Sequence, residues 1–239
     1  MRATSSDGTP AADGISVIVI ARNAARHLAD ALDSIAASTL QPREVIVVDG
    51  GSPDDTVAIA RRYPFVWVVP QRSRGIAEAY NEGIEASTQP LLAFLSADDR
   101  WMPDKLARQA ASLQADPSLG LVACHVLHAL EPGCAPPAGF RLSLLDGPVP
   151  AFIMESLMVR RTVFAQVGGF DPAFAVSEDT DWFARTRDAG VRSAVLDETL
   201  VWKRVHDANS SLNEPSINGL LLRALRGTLQ RKRAQQGQG

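Results

Sequence analysis

Four stretches of mostly apolar residues recur in the first hundred positions of the chain, each followed by polar residues. They cover residues 15–20, 44–48, 65–69 and 91–98, the last ending in Asp98. Runs that are apolar at nearly every position are typical of strands buried on both faces of a parallel sheet. Apolar positions at helical spacing lie between them, among them Leu28, Leu32 and Ile35. The pattern predicts an α/β fold with a mostly parallel, Rossmann-like central sheet flanked by helices.

Polar residues at the ends of these runs predict where the helices begin. Asn23 is expected to cap the first helix, and Ser52 with Asp55 forms a capping box ahead of a helix that ends near Arg62. Further helices are predicted at about residues 76–86 and 104–114, and a strand at 119–126. Residues 131–150 are rich in proline and glycine, which predicts a long loop and a candidate lid over an acceptor site.

Composition narrows the classes of protein that fit this pattern. With 239 residues and 46% apolar content, the chain suits one large domain or two fused halves. The 24 basic and 27 acidic side chains give no positive field for nucleic acid. Cys124 and Cys134 match no metal or redox spacing, which suits a reducing compartment. No apolar run reaches about 18 residues, and residues 1–13 are small and polar. We therefore expect a cytoplasmic protein with a disordered N-terminal tail.

Candidate chemistry lies where the predicted strands end, because ligands of open α/β sheets bind at the carboxyl ends of the strands. Asp98 and Asp99 follow the fourth strand, where adjacent carboxylates would attract a divalent cation able to hold a diphosphate. They would equally serve as turn and capping residues ahead of the next helix. Asp49 ends the second strand and would accept hydrogen bonds from a base edge or a ribose, or from the glycine amides beside it.

Other polar residues near these strand ends carry weaker signals. Residues 21–24 contain no glycine and match neither a dinucleotide fingerprint nor a phosphate-binding loop. Arg72 and Arg74 lie in a loop at the strand ends, where they would neutralise phosphate or remain solvated. Asn81 lies within a predicted helix, where asparagine is a poor helix former, which points to a specific polar contact. His125 and His128 would point to opposite faces of a strand, which argues against a metal pair.

Four motifs stand in the order and spacing of a known family. They are Ser16-Val17-Ile18-Val19, Val47-Val48-Asp49-Gly50-Gly51-Ser52, Gly75-Ile76-Ala77-Glu78-Ala79-Tyr80-Asn81-Glu82-Gly83 and Phe94-Leu95-Ser96-Ala97-Asp98-Asp99. Together they resemble the family 2 glycosyltransferases. The resemblance implies a GT-A fold and an inverting, metal-dependent enzyme with a nucleotide-sugar donor, for which UDP is the expected nucleotide.

The resemblance also implies roles for individual residues. It places Asp98, with Asp99 and His206, on a Mn²⁺ or Mg²⁺ ion, and Asp49 on the nucleobase. The donor-binding set that it implies is Ala21, Asn23, Asp49, Arg74, Gly75, Asn81, Ala97, Asp98 and Arg204. Two positions depart from the family's pattern. Gly50 stands where a second acid is usual, and Ser96 stands where the Asp-x-Asp signature often has its first aspartate.

Two segments of the second half match the family as well. The stretch from Ser177 to Arg185 resembles its Glu-Asp motif at the start of a helix, which places the general base on Asp179, beside Glu178. Ser177 would cap that helix, and a helix N-terminus favours a charged carboxylate, so we expect a low pKa for Asp179. Residues 202–211 resemble the family's Arg-Val-His segment. There Arg204 would pair with the diphosphate, and His206 would bind the metal or a phosphate oxygen, or serve only the structure.

The resulting interpretation is one GT-A domain over residues 14–215, with a nucleotide-sugar half up to residue 114 and an acceptor half from residue 115. Asp179 would deprotonate an acceptor hydroxyl on a glycan, lipid, protein or peptide. Residues 216–239 would form a basic amphipathic helix and tail that pack on the domain, on a second subunit in a homodimer, or against a membrane surface. Two other classes stay open, which are nucleotidyl transfer and a binding protein that keeps the fold without activity.

Overall fold

The structure, a computed structural model, describes residues 14–137, 139–174 and 178–206. In chain order its elements are β1 (Ile15–Ala21), α1 (Leu28–Ala36), β2 (Glu44–Asp49), α2 (Thr56–Ala60), β3 (Val66–Pro70), α3 (Ile76–Ala86), β4 (Leu91–Ser96), β5 (Arg100–Trp101), α4 (Lys105–Ala115), β6 (Leu119–Leu130), β7 (Val149–Ala151), β8 (Met158–Arg160), α5 (Arg161–Val167), α6 (Glu178–Asp188) and β9 (Arg192–Val205). Short 3-10 turns lie at Leu142–Leu145 and Met154–Ser156.

The strands of the described residues join one sheet in the order β3-β2-β1-β4-β8-β6-β9-β5, with β7 added to β6. The four strands at one end are parallel, because β1 pairs with β2 and β4, and β2 with β3. β8 is antiparallel to β4 and β6, whereas β9 is parallel to β6 and antiparallel to β5. This mixed sheet confirms the predicted α/β class. Since β8 joins β4 to β6, the sheet continues from the first half of the chain into the second.

The apolar runs bury side chains on both faces of the sheet, which explains why they do not alternate with polar residues. On β1, Val17 packs in one core with Leu32 of α1. Its neighbour Ile18 faces the opposite core, together with Phe94 of β4 and Trp182 of α6. Each central strand therefore contributes to two cores, and burial of apolar surface on both faces stabilises the layered arrangement.

The close approach of α3 to β1 depends on Gly83. A Cβ atom at this position would lie 2.4 Å from Cγ2 of Ile18, well inside van der Waals contact. Glycine therefore lets the helix lie directly on the sheet. The bounds of α3 agree with the sequence prediction.

The predicted helix caps in the first two loops were wrong, because these loops bond to each other. α1 begins at Leu28, well after Asn23, whose φ of 53° is left-handed. The backbone amide of Asn23 donates to Oγ of Ser52 at 2.9 Å, and Ser52 does not cap α2. α2 begins at Thr56, whose amide donates to Oδ1 of Asp54 at 3.1 Å instead. Tertiary hydrogen bonds thus replace the local capping pattern.

The second half differs from the sequence interpretation in one strand and one loop. β6 continues to Leu130, past its predicted end. Residues 131–150, predicted as a loop, contain a 3-10 turn and the first residues of β7. His125 and His128 both lie on β6, and Nε2 of His125 is 3.5 Å from Oδ1 of Asp197.

Some predicted features lie outside the described residues. They are the N-terminal tail at 1–13, the cap at Ser177, the segment after His206 and the helix predicted within 216–239. Within the part of the chain that the structure describes, no helix has the length and apolar character needed to cross a membrane.

Candidate active site

The carboxyl ends of β1, β2 and β4 meet at one edge of the sheet, as their parallel direction requires. Ala21 at the end of β1 pairs in register with Asp49 at the end of β2. Ala97 and Asp98 follow β4 on the other side of β1, where Ala97 is buried and Asp98 is partly exposed. The structure therefore brings these four sequence-predicted residues to one edge, which we call the donor edge.

Asp49 is anchored by the turn that follows it. Its Oδ2 accepts hydrogen bonds from the backbone amides of Gly51 and Ser52, each at 3.2 Å. The side chain is nearly buried, with 7% exposed. These are the glycine-loop contacts that the sequence left open as the alternative to binding a nucleobase. A carboxylate accepts several hydrogen bonds, so the anchor fixes its direction without using all of its capacity.

His206, which follows β9, reaches across the edge to Asp98. Its Nε2 lies 3.1 Å from Oδ2 of Asp98. Burial raises the pKa of Asp98, but the hydrogen bond with His206 and the charge of Lys203 outweigh burial and hold that pKa below its usual value. An ionised carboxylate and an imidazole therefore meet at the end of β4.

The Asp98–His206 pair offers a carboxylate oxygen and an imidazole nitrogen as ligands for a cation. Within the described ranges, no group of three or more acidic, histidine or cysteine side chains could enclose a metal ion. In nucleotide sites a magnesium ion is held by one or two protein groups together with phosphate oxygens, so no such cage is needed. Carboxylate oxygens suit Mg²⁺ and Mn²⁺, and a neutral imidazole is a common metal ligand. The pair fits a cation shared with a diphosphate.

Asp99 faces the protein interior, not the donor edge. Its side chain is fully buried. Oδ2 accepts a hydrogen bond from Nζ of Lys203 at 2.7 Å, and Oδ1 accepts one from the backbone amide of Arg204 at 2.8 Å. Because both oxygens are engaged by β9, the geometry does not support the predicted role of Asp99 as a metal ligand. Asp99 instead holds β9 against the turn after β4.

Arg204 is also committed to protein groups. Its guanidinium lies 2.9 Å from Oδ2 of Asp30 and 3.5 Å from Oε1 of Glu131. Its Nε donates to the backbone carbonyl of Asp98 at 3.0 Å. The side chain is buried, so these contacts take the place of the diphosphate pairing that the sequence predicted. Arg204 fixes the turn that carries Asp98.

Asn81 makes a specific polar contact, as its position in α3 suggested, but its partner is the backbone. Its Nδ2 donates to the carbonyl of Phe170 at 2.9 Å, and its Oδ1 accepts from the amide of Phe170 at 2.8 Å. A Cβ on Gly169 would lie 2.5 Å from the same Oδ1. The donor-binding role predicted for Asn81 is replaced by a structural one, because both ends of its amide already join α3 to this turn.

The remaining predicted donor residues lie in loops beside the donor edge. Asn23 is exposed, and its backbone amide is used by Ser52 as described above. Gly75 precedes the first residue of α3, and its carbonyl accepts from Nε2 of Gln71 at 2.8 Å. Arg74 is exposed next to it, where its charge stands at the start of α3.

Two charged residues that the sequence analysis did not single out lie under the donor edge. Nζ of Lys203 bridges Oδ2 of Asp99 at 2.7 Å and Oε1 of Glu155 at 3.2 Å. The hydroxyl of Ser96 donates to the same Oε1. Burial opposes both charges, but their attraction outweighs it, so the pKa of Lys203 lies above and that of Glu155 below its usual value. The signal for Glu155 was an acid inside the mostly apolar run 152–159.

Side chains of β5 and α4 bind the backbone of the 3-10 turn that carries Glu155. Three buried side chains of β5 and α4 donate to successive backbone carbonyls, Trp101 to Glu155 at 3.0 Å, Gln109 to Ser156 at 2.7 Å and Lys105 to Leu157 at 3.3 Å. Buried polar groups that all find partners favour one arrangement of the backbone. The backbone of the turn that carries Glu155 is therefore fixed, and Ser96 and Lys203 bind its carboxylate.

Glu178 and Asp179 begin α6, where the sequence placed the start of a helix. Burial, with the charge of Glu155, raises the pKa of Asp179 to about 6. Burial, with the charge of Asp179, raises the pKa of Glu178 to about 8. The expected low pKa of Asp179 was wrong, because lost hydration outweighs the favourable helix terminus. A carboxylate with a pKa just below neutrality is well matched to accept a proton near physiological pH.

Comparison with known proteins identifies the family of this chain. The family model for glycosyl transferase family 2 matches residues 16–164. The chain belongs to this family. An uncharacterised glycosyltransferase of Nostoc sp. is 31% identical over 221 residues, which cover 84% of this chain and 68% of the relative.

Solved structures share the fold of this family 2 member. S. aureus TarS in complex with UDP-GlcNAc matches with a TM-score of 0.66 at 17% identity, covering 84% of this chain and 61% of the TarS chain. The mannosyltransferase PcManGT from Pyrobaculum calidifontis, in complex with GDP-Man and Mn²⁺, matches with a TM-score of 0.62 at 25% identity, covering 80% of this chain and 56% of its own. The predicted GT-A fold, family and transferase class are confirmed. This chain spans less than two thirds of either solved chain.

Proposed function

We propose that this chain is an inverting glycosyltransferase that moves a sugar from a UDP-sugar to an acceptor hydroxyl. The observation that carries the proposal is the meeting of Asp98 and His206 at the carboxyl end of β4, where a donor diphosphate would lie. The UDP-GlcNAc complex of TarS supports a UDP-sugar, and the GDP-Man complex of PcManGT supports a nucleotide-sugar donor in general. The acceptor would be a hydroxyl of a glycan, lipid, protein or peptide.

The donor edge would bind the two ends of the nucleotide separately. Asp49, directed by its turn, would accept a hydrogen bond from the base or the ribose. Asp98 and His206 would hold a Mn²⁺ or Mg²⁺ ion, which when bound neutralises charge on the departing diphosphate. Arg74, exposed beside Gly75, would add positive charge near the phosphates.

Asp179 is the proposed general base. It would accept the proton of the acceptor hydroxyl as the hydroxyl oxygen attacks the anomeric carbon, and the carbon is inverted because the diphosphate leaves from the opposite face. With a pKa of about 6, Asp179 is mostly ionised at neutral pH. Glu178, with a pKa of about 8, stays mostly protonated there and is the poorer base.

Calorimetric binding of UDP and GDP, with and without Mn²⁺, tests the donor site. We expect metal-dependent binding in the parent, its loss in Asp98→Ala and weaker binding in His206→Ala. Binding of free uridine should change little, because a nucleoside has no diphosphate to place at this pair. The control is Asp197→Ala, which removes an exposed carboxylate on β9. Equal affinity in Asp98→Ala and the parent would contradict the assignment.

Product analysis with UDP-GlcNAc, UDP-glucose and GDP-mannose separates the classes of function. Glycosyl transfer, or slow donor hydrolysis with water as acceptor, releases a nucleoside diphosphate. Nucleotidyl transfer would move the nucleoside monophosphate and release the sugar 1-phosphate, and a binding protein would release neither product. The anomeric configuration of the sugar product would test inversion directly.

A further inference from the structure

Ser96 and Glu155 form a contact at the end of β4 that the sequence motif does not explain. Ser96 occupies the position at which the family's signature often has its first aspartate, so this chain has no carboxylate there. The hydroxyl of Ser96 donates to Oε1 of Glu155, which comes from the 3-10 turn before β8. A carboxylate is therefore present beside position 96, delivered from a distant part of the chain.

We propose that Glu155 supplies the carboxylate that is missing from position 96. In this proposal the Ser96–Glu155 pair replaces the first acid of the signature at the metal and diphosphate end of the donor site. Glu155 is a positioning residue, because it acts on Asp98 and its cation through its charge and through Ser96 and Lys203. The inference rests on the proposed function.

Burial supports this role over that of an ordinary surface acid. Glu155 is buried, with 7% exposed, and an acid is retained in such a place only when partners compensate its lost hydration. Its partners are Ser96 and Lys203, both within the turn and strand that carry the donor residues. The three backbone contacts hold the turn from which the carboxylate projects, and the bonds to Ser96 and Lys203 hold the carboxylate itself.

The balance of charge around Lys203 points in the same direction. Lys203 contacts Asp99 and Glu155 directly, and Asp98 is close enough to raise its pKa as well. The ammonium of Lys203 is shared between the carboxyl groups of Asp99 and Glu155. A divalent cation next to Asp98 would add positive charge for the diphosphate, and Glu155 is the member of this set that stands in for the absent aspartate.

A charge-relocation experiment tests the proposal. UDP affinity in the presence of Mn²⁺ is measured calorimetrically for the parent, Glu155→Gln, Ser96→Asp and the double variant. Glu155→Gln keeps the shape and removes the charge, and we expect affinity to fall about 10-fold. Ser96→Asp sets a second carboxylate against Glu155, and we expect a similar loss from repulsion.

The double variant combines Ser96→Asp with Glu155→Gln, so it again has one carboxylate, which now lies at position 96 on β4. The amide of the glutamine at position 155 can donate a hydrogen bond to this carboxylate. We expect its affinity to return to within about 3-fold of the parent. A double variant no better than the single ones would overturn the proposal, because a purely structural acid is not restored by moving its charge. Unchanged affinity in Glu155→Gln would overturn it as well.

Two controls separate the loss of the Glu155 charge from misfolding and from the absence of a cation site. Glu85→Gln removes an exposed carboxylate on α3 and should bind like the parent. If circular dichroism shows that Glu155→Gln does not fold, the single Ser96→Asp variant decides, and unchanged affinity there would overturn the proposal. A parent whose UDP binding does not depend on Mn²⁺ would remove the proposed cation site and this inference together, whereas glycosyl transfer is tested by product analysis. A metal-dependent parent with a failed exchange would remove only the role of Glu155.

Discussion

At the residue scale, Asp179 and Glu178 present neighbouring carboxyl groups with different pKa values. We expect Asp179→Asn to preserve donor affinity and to lower turnover by about 10²–10⁴-fold, because general bases typically contribute that much. Asparagine keeps the size and capping ability of aspartate, so the fold should survive. Glu178→Gln should cost less. Turnover, or donor hydrolysis until an acceptor is found, is the measurement, and the reverse order of effects would place the base on Glu178.

The pH dependence of turnover follows from the same residue. A base with a pKa of about 6 loses its ionised form below that pH, so kcat should fall about tenfold per pH unit on the acid side and level off above pH 7. The acid limb should be absent from the residual activity of Asp179→Asn. Rates measured from pH 5 to 8 with a saturating donor check this, and a rate that stays level down to pH 5 would show that burial does not control the pKa of Asp179.

At the scale of elements, the contact between α3 and the turn at Phe170 makes a test of packing. Asn81→Ala removes both hydrogen bonds and should lower the free energy of unfolding by about 1–3 kcal/mol, partly offset by the better helix propensity of alanine. Gly169→Ala should also destabilise, because its Cβ would collide with the Asn81 amide.

The two changes should not be additive. In the Asn81→Ala background the colliding oxygen is gone, so Gly169→Ala should cost much less than in the parent. Urea unfolding of the two single variants and the double variant measures this coupling. Equal costs of Gly169→Ala in both backgrounds would mean that the Asn81 side chain does not limit this position.

The elements differ in how far the sequence predicted them. The strands β1, β2 and β4 were predicted because unbroken apolar runs are decided by burial on both faces, and the bounds of α3 were predicted as well. The starts of α1 and α2 were not, since Asn23 and Ser52 bond to each other across loops. Local capping rules cannot anticipate a partner supplied by the tertiary fold.

The candidate site shows the same limit. Asp98 was singled out from a local motif, and the structure brings it within 3.1 Å of His206. Glu155 and Lys203 were missed, because what matters about each is a partner far away in the sequence. Long-range contacts also explain why Asp99 and Arg204, predicted as ligands, bind protein groups: Asp99 accepts from Lys203, and Arg204 donates to the carbonyl of Asp98.

At the scale of the whole molecule, the buried acid Glu178 makes stability depend on pH. Its pKa rises from 4.5 to about 8 on folding, so the unfolded chain releases a proton that the folded chain keeps. Stability should therefore fall as pH rises between these values, by up to about 1.4 kcal/mol per pH unit. Asp179 acts in the same direction only up to about pH 6. Burial also raises the pKa of Asp99 to about 8, so both acids contribute to the slope that urea unfolding measures at pH 6.5, 7.2 and 8.

Glu178→Gln should reduce this slope by the contribution of Glu178, because the amide does not ionise. The matched control is Glu198→Gln, which changes a more exposed side chain on β9. A slope that is the same in the parent and in Glu178→Gln would show that Glu178 is ionised in the folded protein throughout this range.

β9 is the last of the described strands, yet it lies inside the sheet between β6 and β5. During synthesis on the ribosome, β6 and β5 emerge well before β9. Until β9 pairs with them, their edges expose unpaired backbone N–H and C=O groups, which can pair wrongly or bind chaperones. Lys203 and His206 arrive with the end of this strand. The half-made chain can thus assemble its parallel strands, but it gains the full donor edge only when synthesis has passed residue 206, so a nascent enzyme would not capture nucleotide before its sheet is complete.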